Sequence, residues 1–274
     1  MSGRRSAIPG FGLTAGITLF WLSLIVLVPL SALFMRAASG GWEHLLASAF
    51  SERALASYRV SFGCALIAAA INMLFGLVIA WVLVRYRFPG ERLVSALVDL
   101  PFALPTAVAG IALTAIYADT GWVGRLVAPM DIQLAYKPQG IVIALVFIGL
   151  PFIVRTVEPV LADLARDAEE AAATLGANRW QTFRHVVLPE ILPALVTGFA
   201  LAFARGVGEY GSVIFIAGNM PFESEISPLL IVTSLEEYDY AGATGIAVVM
   251  LLASLAVMLL INGVQHNARA RRGL

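Results

Sequence analysis

The chain has 274 residues, of which 59% are hydrophobic and 13% charged, against roughly 25% charged in an average soluble protein. With a mean hydropathy of +0.86 there is too little polar surface to cover a water-soluble globule, so the chain reads as one all-α integral membrane domain. Eighteen Lys plus Arg balance eighteen Asp plus Glu, which leaves no global basic field to recruit nucleic acid. Cys64 is the sole cysteine, so an intrachain disulfide and a cysteine-built zinc or iron–sulfur site are excluded. Cys64 itself reads as a small apolar residue of a membrane helix.

A helix that crosses about 30 Å of hydrocarbon needs about 20 apolar residues, and the gaps between charges supply six such stretches. They place spans at about 11–35, 60–84, 95–118, 138–155, 191–218 and 240–265. The first has signal-like flanks, with Arg4 and Arg5 before it and Ala37, Ala38 and Ser39 after it. Its apolar run from Phe11 to Met35 exceeds the roughly 7–15 residues of a signal core, so it is expected to stay as a span. Asp99, Pro101 and Pro105 mark the third stretch, where two prolines four apart deny it ordinary helix hydrogen bonds. That cluster reads either as an irregular segment at an inner gate or as a kinked structural helix.

Six spans put both termini on one side, and the cation count chooses the side. One face carries Arg4, Arg5, Arg85, Arg87, Arg92, Arg155, Arg166, Arg179, Arg184, Arg269, Arg271 and Arg272, the other only Arg36, Arg53, Arg59, Arg125 and Lys137. Both termini are therefore expected in the cytoplasm. The outer loops are acidic, with Glu223, Glu225, Glu236, Glu237 and Asp239 before the last span. They are either plain solvated loops or a docking surface for an external partner.

The cytoplasmic stretch 156–190 is expected to be helical rather than membrane-embedded. A helix is predicted from Glu158 to Leu175, with Pro159 in its first turn and Gly176 at its end. A second short helix follows, with Asn178 as N-cap and Trp180 and Phe183 on one face. Leu175, Trp180 and Phe183 need a cover, which is either the chain's own helix ends or a separate cytoplasmic protein.

Within that stretch Glu170, Ala171 and Ala172 are followed after three residues by Gly176, and after nine more by Val186-Val187-Leu188-Pro189. The spacing resembles the EAA loop of ABC importer permeases, departing only at Val186, where the family has Ile. Arg85-Tyr-Arg-Phe-Pro-Gly90, Asp99-Leu-Pro-Phe-Ala-Leu-Pro-Thr-Ala-Val-Ala-Gly110 and Ala204-Arg-Gly-Val-Gly-Glu-Tyr-Gly211 are similar to permeases for tetrahedral oxyanions. Within that group the chain resembles the T-type sulfate/thiosulfate permeases over nearly its whole length, from the Pro9-Gly10 lead-in onward. The resemblance implies a type I importer fold and a coupling helix carrying Glu170, Ala171, Ala172, Leu175 and Gly176 that sits on an ATP-binding subunit. It further implies a heterodimer with a second permease, two ATPase subunits, a periplasmic sulfate/thiosulfate-binding protein and an inner-membrane location.

The chain offers no engine of its own. A P-loop needs a lysine after a glycine-rich turn, and the one lysine, Lys137, lies between Tyr136 and Pro138. ATP and magnesium are accordingly assigned to the partner ATPase, with no cofactor in this chain. His44, His185 and His266 form no H-E-x-x-H arrangement and no G-x-S-x-G elbow occurs, so an intramembrane hydrolase lacks its constellation. The remaining unusual residues are Arg205 and Glu209, one helical turn apart in the fifth span among Gly206, Gly208 and Gly211. They read either as a structural ion pair or as part of an anion translocation path, since an unpaired intramembrane charge is costly. The expected function is a non-catalytic permease for sulfate and thiosulfate. Molybdate or tungstate is the alternative cargo, and a non-ABC membrane protein whose loop binds a regulator is the alternative class.

Overall fold

The computed structural model describes residues 11–39, 41–164 and 166–270; Arg4, Arg5, Pro9, Gly10, Arg271 and Arg272 lie outside them. Among the described residues the chain is helical throughout, with turns and loops between. The first helices are α1 (Phe11–Leu22), α2 (Val28–Ser39), α3 (Trp42–Ala49) and α4 (Glu52–Arg85). They are followed by α5 (Glu91–Ala103), α6 (Thr106–Tyr117), the one-turn α7 (Gly124–Val127) and α8 (Pro138–Asp163). The last are α9 (Arg166–Thr174), α10 (Arg179–Thr182), α11 (Leu188–Val207), α12 (Val213–Ile216), α13 (Ser227–Glu236) and α14 (Tyr240–Ala270).

Five stretches are long and apolar enough to cross a membrane: Phe11–Met35, Glu52–Arg85, Pro138–Asp163, Arg179–Val207 and Tyr240–Ile261. Two of them contain a π-helical turn, Ser23–Leu27 and Phe183–Val187, each just ahead of a proline, Pro29 and Pro189. A proline ring crowds the carbonyl four residues back and donates no hydrogen bond. Widening the preceding turn by one residue lets the helix pass that point unbroken.

The third stretch differs from its expected single span. Helices α5 and α6 meet at a 115° bend, so 95–118 is a broken pair. Pro105 is the cause: it has no N–H to continue α5, and it drives Leu104 out of helical space, to φ −83° and ψ 135°. Three other expected boundaries also move. The second span starts at Glu52 rather than at 60, because Glu52, Arg53 and Arg59 ride on the helix beyond its apolar part. The fourth does not stop near 155 but runs through Pro159 to Asp163, with Val157 and Leu161 fully buried beneath it. Pro159 is thus inside α8 and not in the first turn of a loop helix. The fifth ends at Val207, not at Gly218, because the chain leaves helical geometry at Gly208.

The core is the triangle of α4, α8 and α11, the most heavily packed helices of the chain. Ile153 of α8 sits at its centre, fully buried. Gly76 of α4 faces it so closely that a Cβ there would lie 2.7 Å from Ile153 Cγ2, and a Cβ at Gly198 of α11 would lie 3.0 Å from Ile153 Cα. Gly149 meets the buried amide of Asn72 in the same way. Cys64 is buried in this seam, 3.8 Å from the Pro138 carbonyl. By contrast no part of the hydrophobic window of Phe11–Met35 is buried against the rest of the chain. Helix α13, too short to cross a membrane, packs against α4 and α14.

Gly76→Leu is expected to force α4 off α8 and destabilise the bundle by about 1–3 kcal/mol, the usual cost of overpacking a filled core. Thermal unfolding in detergent measures it, and Gly76→Ala with Ile153→Val should be much milder than Gly76→Leu.

Candidate functional site

The two interrupted segments, widely separated in sequence, lie together in space. A Cβ on Gly110 of α6 would fall 2.4 Å from the Ser212 carbonyl oxygen, and one on Gly211 would fall 2.2 Å from Thr106 Oγ1. The first turns of α6 therefore press on the unwound stretch 208–212. Within that stretch Glu209 is buried, 3% exposed, and its Oε1 accepts hydrogen bonds from the backbone N–H and the hydroxyl of Ser212, both at 3.0 Å. Its Oε2 lies 2.6 Å from Arg205 Nη1. Arg205 is in the last turn of α11, where a cation complements the negative end of the helix dipole. Glu209 is past the helix end rather than on the same helix face, and reaches back because the chain turns at Gly208. The Arg205 side chain remains 37% exposed.

Asp99 and Pro101 lie in α5, and Pro105 is the N-cap of α6. The Asp99 carboxylate takes two hydrogen bonds from Arg155 of α8, from Nε at 2.8 Å and from Nη2 at 2.5 Å. Arg155 also donates to Glu158 at 2.5 Å and to the Ser95 carbonyl and hydroxyl at 2.9 and 2.8 Å. One guanidinium thus fastens α5, just before the 115° bend, to α8. Phe102 packs edge-on to Phe152 at 5.3 Å across the same seam. Arg155 was readable only as a loop cation in the sequence, since nothing local identifies a partner 56 residues away.

The stretch 156–190 forms the end of α8 and then two short helices. Helix α9 stops in a left-handed turn at Gly176, φ +85°. Gly176 N–H donates to the Ala173 carbonyl and Ala177 N–H to the Ala172 carbonyl, both at 3.0 Å, the hydrogen-bond pair of a Schellman motif. No atom would lie within 4 Å of a Cβ on Gly176, so the intrachain demand for glycine there is backbone conformation and not a close approach. Asn178 caps α10: its side chain accepts from Gln181 N–H at 2.9 Å while the Gln181 side chain accepts from Asn178 N–H at 2.8 Å. Leu175 is 89% exposed and Trp180 66%. Phe183 instead turns inward onto Trp81 of α4, edge-on at 5.7 Å, with Trp180 stacked on its other side. Glu170 and Ala171 are exposed and Ala172 is half-buried. The neighbouring Glu169 is ion-paired with Arg85 at the end of α4. A groove of about 580 Å³ runs between that end of α4 and α9–α10.

At the opposite end, three of the five acidic loop residues have partners within the chain. Glu225 is buried and held bidentately by Arg53, at 2.7 and 2.8 Å, and Glu223 pairs with Lys137. Asp239 accepts from Gly242 N–H at 2.8 Å and so caps α14. Glu236 and Glu237 are exposed. Among the described residues no group of three or more His, Cys, Asp or Glu is placed to hold a metal ion.

A bundle of apolar helices, two of them broken against each other, with an exposed polar helix at one end, belongs with transport permeases. The chain is a member of the family of binding-protein-dependent transport system inner membrane components, whose family model matches residues 72–272. It is the membrane component of such a system and not its catalytic subunit. It is 51% identical over 249 residues to the sulfate transport system permease protein CysT of Synechococcus elongatus, covering 91% of this chain and 90% of that one. It is 48% identical over 263 residues to the CysT protein of Escherichia coli K12, covering 96% of this chain and 95% of that one. Its fold matches that of a bacterial ABC transporter involved in the import of the acidic polysaccharide alginate, with a TM-score of 0.77 over 94% of this chain and 96% of that one, at 16% identity.

Gly176→Leu places a branched side chain in left-handed backbone at a cost of about 1 kcal/mol or more. It is expected to speed amide hydrogen exchange at positions 176 and 177, relative to the intrinsic rates of those amides, by about fivefold through fraying of the α9 terminus, while the membrane helices keep their protection. Unchanged exchange at those two amides would show that the Schellman turn does not hold α9.

Proposed function

We propose that the chain is the permease subunit that carries sulfate and thiosulfate inward across the inner membrane, driven by ATP hydrolysis on a separate subunit. It works with a homologous second permease, two ATP-binding subunits that carry the nucleotide and magnesium, and a periplasmic sulfate/thiosulfate-binding protein. The observation that carries this reading is the near full-length similarity to sulfate transport permeases, at 48–51% identity. Three features of the fold support it. The segment bearing Glu170, Ala171, Ala172, Leu175 and Gly176 is solvent-exposed apart from half-buried Ala172, and leaves Leu175 open for an ATP-binding subunit. The unburied Phe11–Met35 helix leaves a long apolar face for lipid and for the second permease. The third is the pair of broken segments, with Arg205 beside them.

A dianion crossing the hydrocarbon needs a polar path but no deep trap, because an importer has to release what it carries. Arg205 presents a partly exposed guanidinium whose positive charge attracts an oxyanion, and Glu209 offsets that charge, so the attraction stays shallow. Asp99, Pro101 and Pro105 form the inner gate in this reading: the 115° bend is a hinge, and Arg155 holds its α5 arm on α8. The central test is reconstitution of the complex in proteoliposomes. Sulfate and thiosulfate should stimulate ATP hydrolysis and accumulate inside, whereas stimulation by molybdate alone would reassign the cargo and the lack of any ATPase complex would overturn the importer.

The cation distribution gives an orientation. With α9 and α10 in the cytoplasm, alkaline phosphatase fused after Leu274 should be inactive and phosphatase inserted near Pro129 active. The reverse pattern would invert the topology.

Arg205 and Glu209 should depend on each other, because removing half-exposed Arg205 leaves the buried Glu209 carboxylate uncompensated and costs more than removing both. Arg205→Ala is expected to lower the amount of assembled complex, and Arg205→Ala with Glu209→Ala to recover much of it without restoring sulfate uptake. A double-mutant cycle on both quantities decides the matter: additive single effects would dissolve the pair, and full uptake in the double variant would remove Arg205 from the path.

A further inference from the structure

We propose that Glu169 is a positioning residue: through its ion pair with Arg85 it holds the coupling helix on the end of α4, and so sets how much of the ATP-binding subunit's movement reaches the membrane bundle. The proposal rests on the importer reading above.

Helix α9 has no apolar face to anchor it. Among its described side chains all are exposed except Glu169 and Ala172, which are half-buried, and Glu169 is the one whose charge is answered by a membrane helix. Its partner Arg85 is only 12% exposed. The Arg85 Nε is buried and without a hydrogen-bond partner among the described residues, and its guanidinium lies over the Trp81 ring at 5.6 Å. Trp81 in turn meets Phe183 at 5.7 Å, and Phe183 stacks on Trp180 at 5.7 Å. A guanidinium so enclosed is poorly hydrated, and without the carboxylate its charge stands uncompensated. The contact sequence Glu169, Arg85, Trp81, Phe183 joins α9 to both α4 and the start of the fifth crossing.

Neighbouring residues of a helix point about 100° apart. Glu169 is half-buried and paired with Arg85, whereas Glu170 is exposed at the edge of the groove beside it, which divides two adjacent carboxylates into a tether and a solvent-accessible contact. The chain enters α9 through the non-helical Leu164 and leaves through the Gly176 turn. Helix α9 also packs against α10 and the turn Phe183–Val187, but a short rod supported along one side can still tilt about that contact. The tether removes that freedom, and the groove of about 580 Å³ beside it is room into which an untethered α9 can swing.

Two measurements test this. In proteoliposomes holding the full complex, Glu169→Gln is expected to keep hydrolysing ATP but to deliver at least about fivefold less sulfate per ATP, the lower range of couplings between sites. The exchange Arg85→Glu with Glu169→Arg should recover the ratio. Arg85→Gln with Glu169→Gln should recover assembly, since no buried charge is left alone, but not the ratio; recovery of both would reduce the pair to a structural contact. The second measurement needs no transport: spin labels at Thr174→Cys and Arg87→Cys, with Cys64→Ala, report the distance from α9 to the end of α4. Glu169→Gln should broaden that distance distribution, and an unchanged distribution together with an unchanged ratio would overturn the proposal. If the unaltered complex shows no oxyanion-stimulated hydrolysis, the importer reading fails by itself while the distance measurement still decides the tether.

Discussion

Helices in lipid gain little from hiding apolar side chains from one another, because the lipid is as apolar as they are; close approach of backbones has to hold them together. In this chain the approach is made around Ile153, where Gly76 and Gly198 let α4 and α11 lie against α8. The breaks, the ion pairs and the coupling segment are attached to that triangle. Helix α5 is joined to it by Arg155, α9 by Arg85, and the outer loop at Glu225 by Arg53. Each attachment is an arginine on a core helix that reaches a carboxylate on a peripheral element. The apolar packing can therefore remain fixed while peripheral elements are held by contacts that exchange more easily.

Non-helical backbone at membrane depth is tolerated only where protein or water satisfies its polar groups. The two breaks meet this requirement by different means. Proline at 105 removes a donor at the first, and Glu209 accepts from Ser212 at the second. Close approach at Gly110 and Gly211 also brings the two breaks against each other. A position where two helices are interrupted side by side is one where small rotations alter the shape of the bundle without unpacking it.

Much of this was legible in the chain itself, because hydropathy is a sum over about 20 residues and tolerates local error. The apolar stretches, the Asn178 cap and the helix end at Gly176 follow from local chemistry. Ends and angles do not. Pro101 and Pro105 announced irregularity, yet nothing local gives a 115° bend. The extent of the fifth crossing was overestimated because the apolar run Val213 to Ala217 resumes so soon after the helix end. Pro159 looked like a helix start because burial of Val157 and Leu161, which carries α8 past it, is a tertiary fact. The acidic loop residues looked solvated for the same reason: the partner of Glu225 is 172 residues away. Helix α13 has ten residues, below any length that hydropathy alone separates from a loop.

Helix α4 carries one of these arginine attachments at each extremity. At about 1.5 Å per residue its 34 residues extend well past a hydrocarbon layer of about 30 Å, so Arg53 and Arg85 both reach the polar zones. They are 32 residues apart, within about 40° of nine full turns at 3.6 residues per turn, and so leave the helix on nearly the same side. The helix is keyed at both ends like a shaft. Inserting or deleting a single residue anywhere between them would turn one key by about 100° and unseat it, so the count between these two arginines is fixed more strictly than the identity of most residues that make it up.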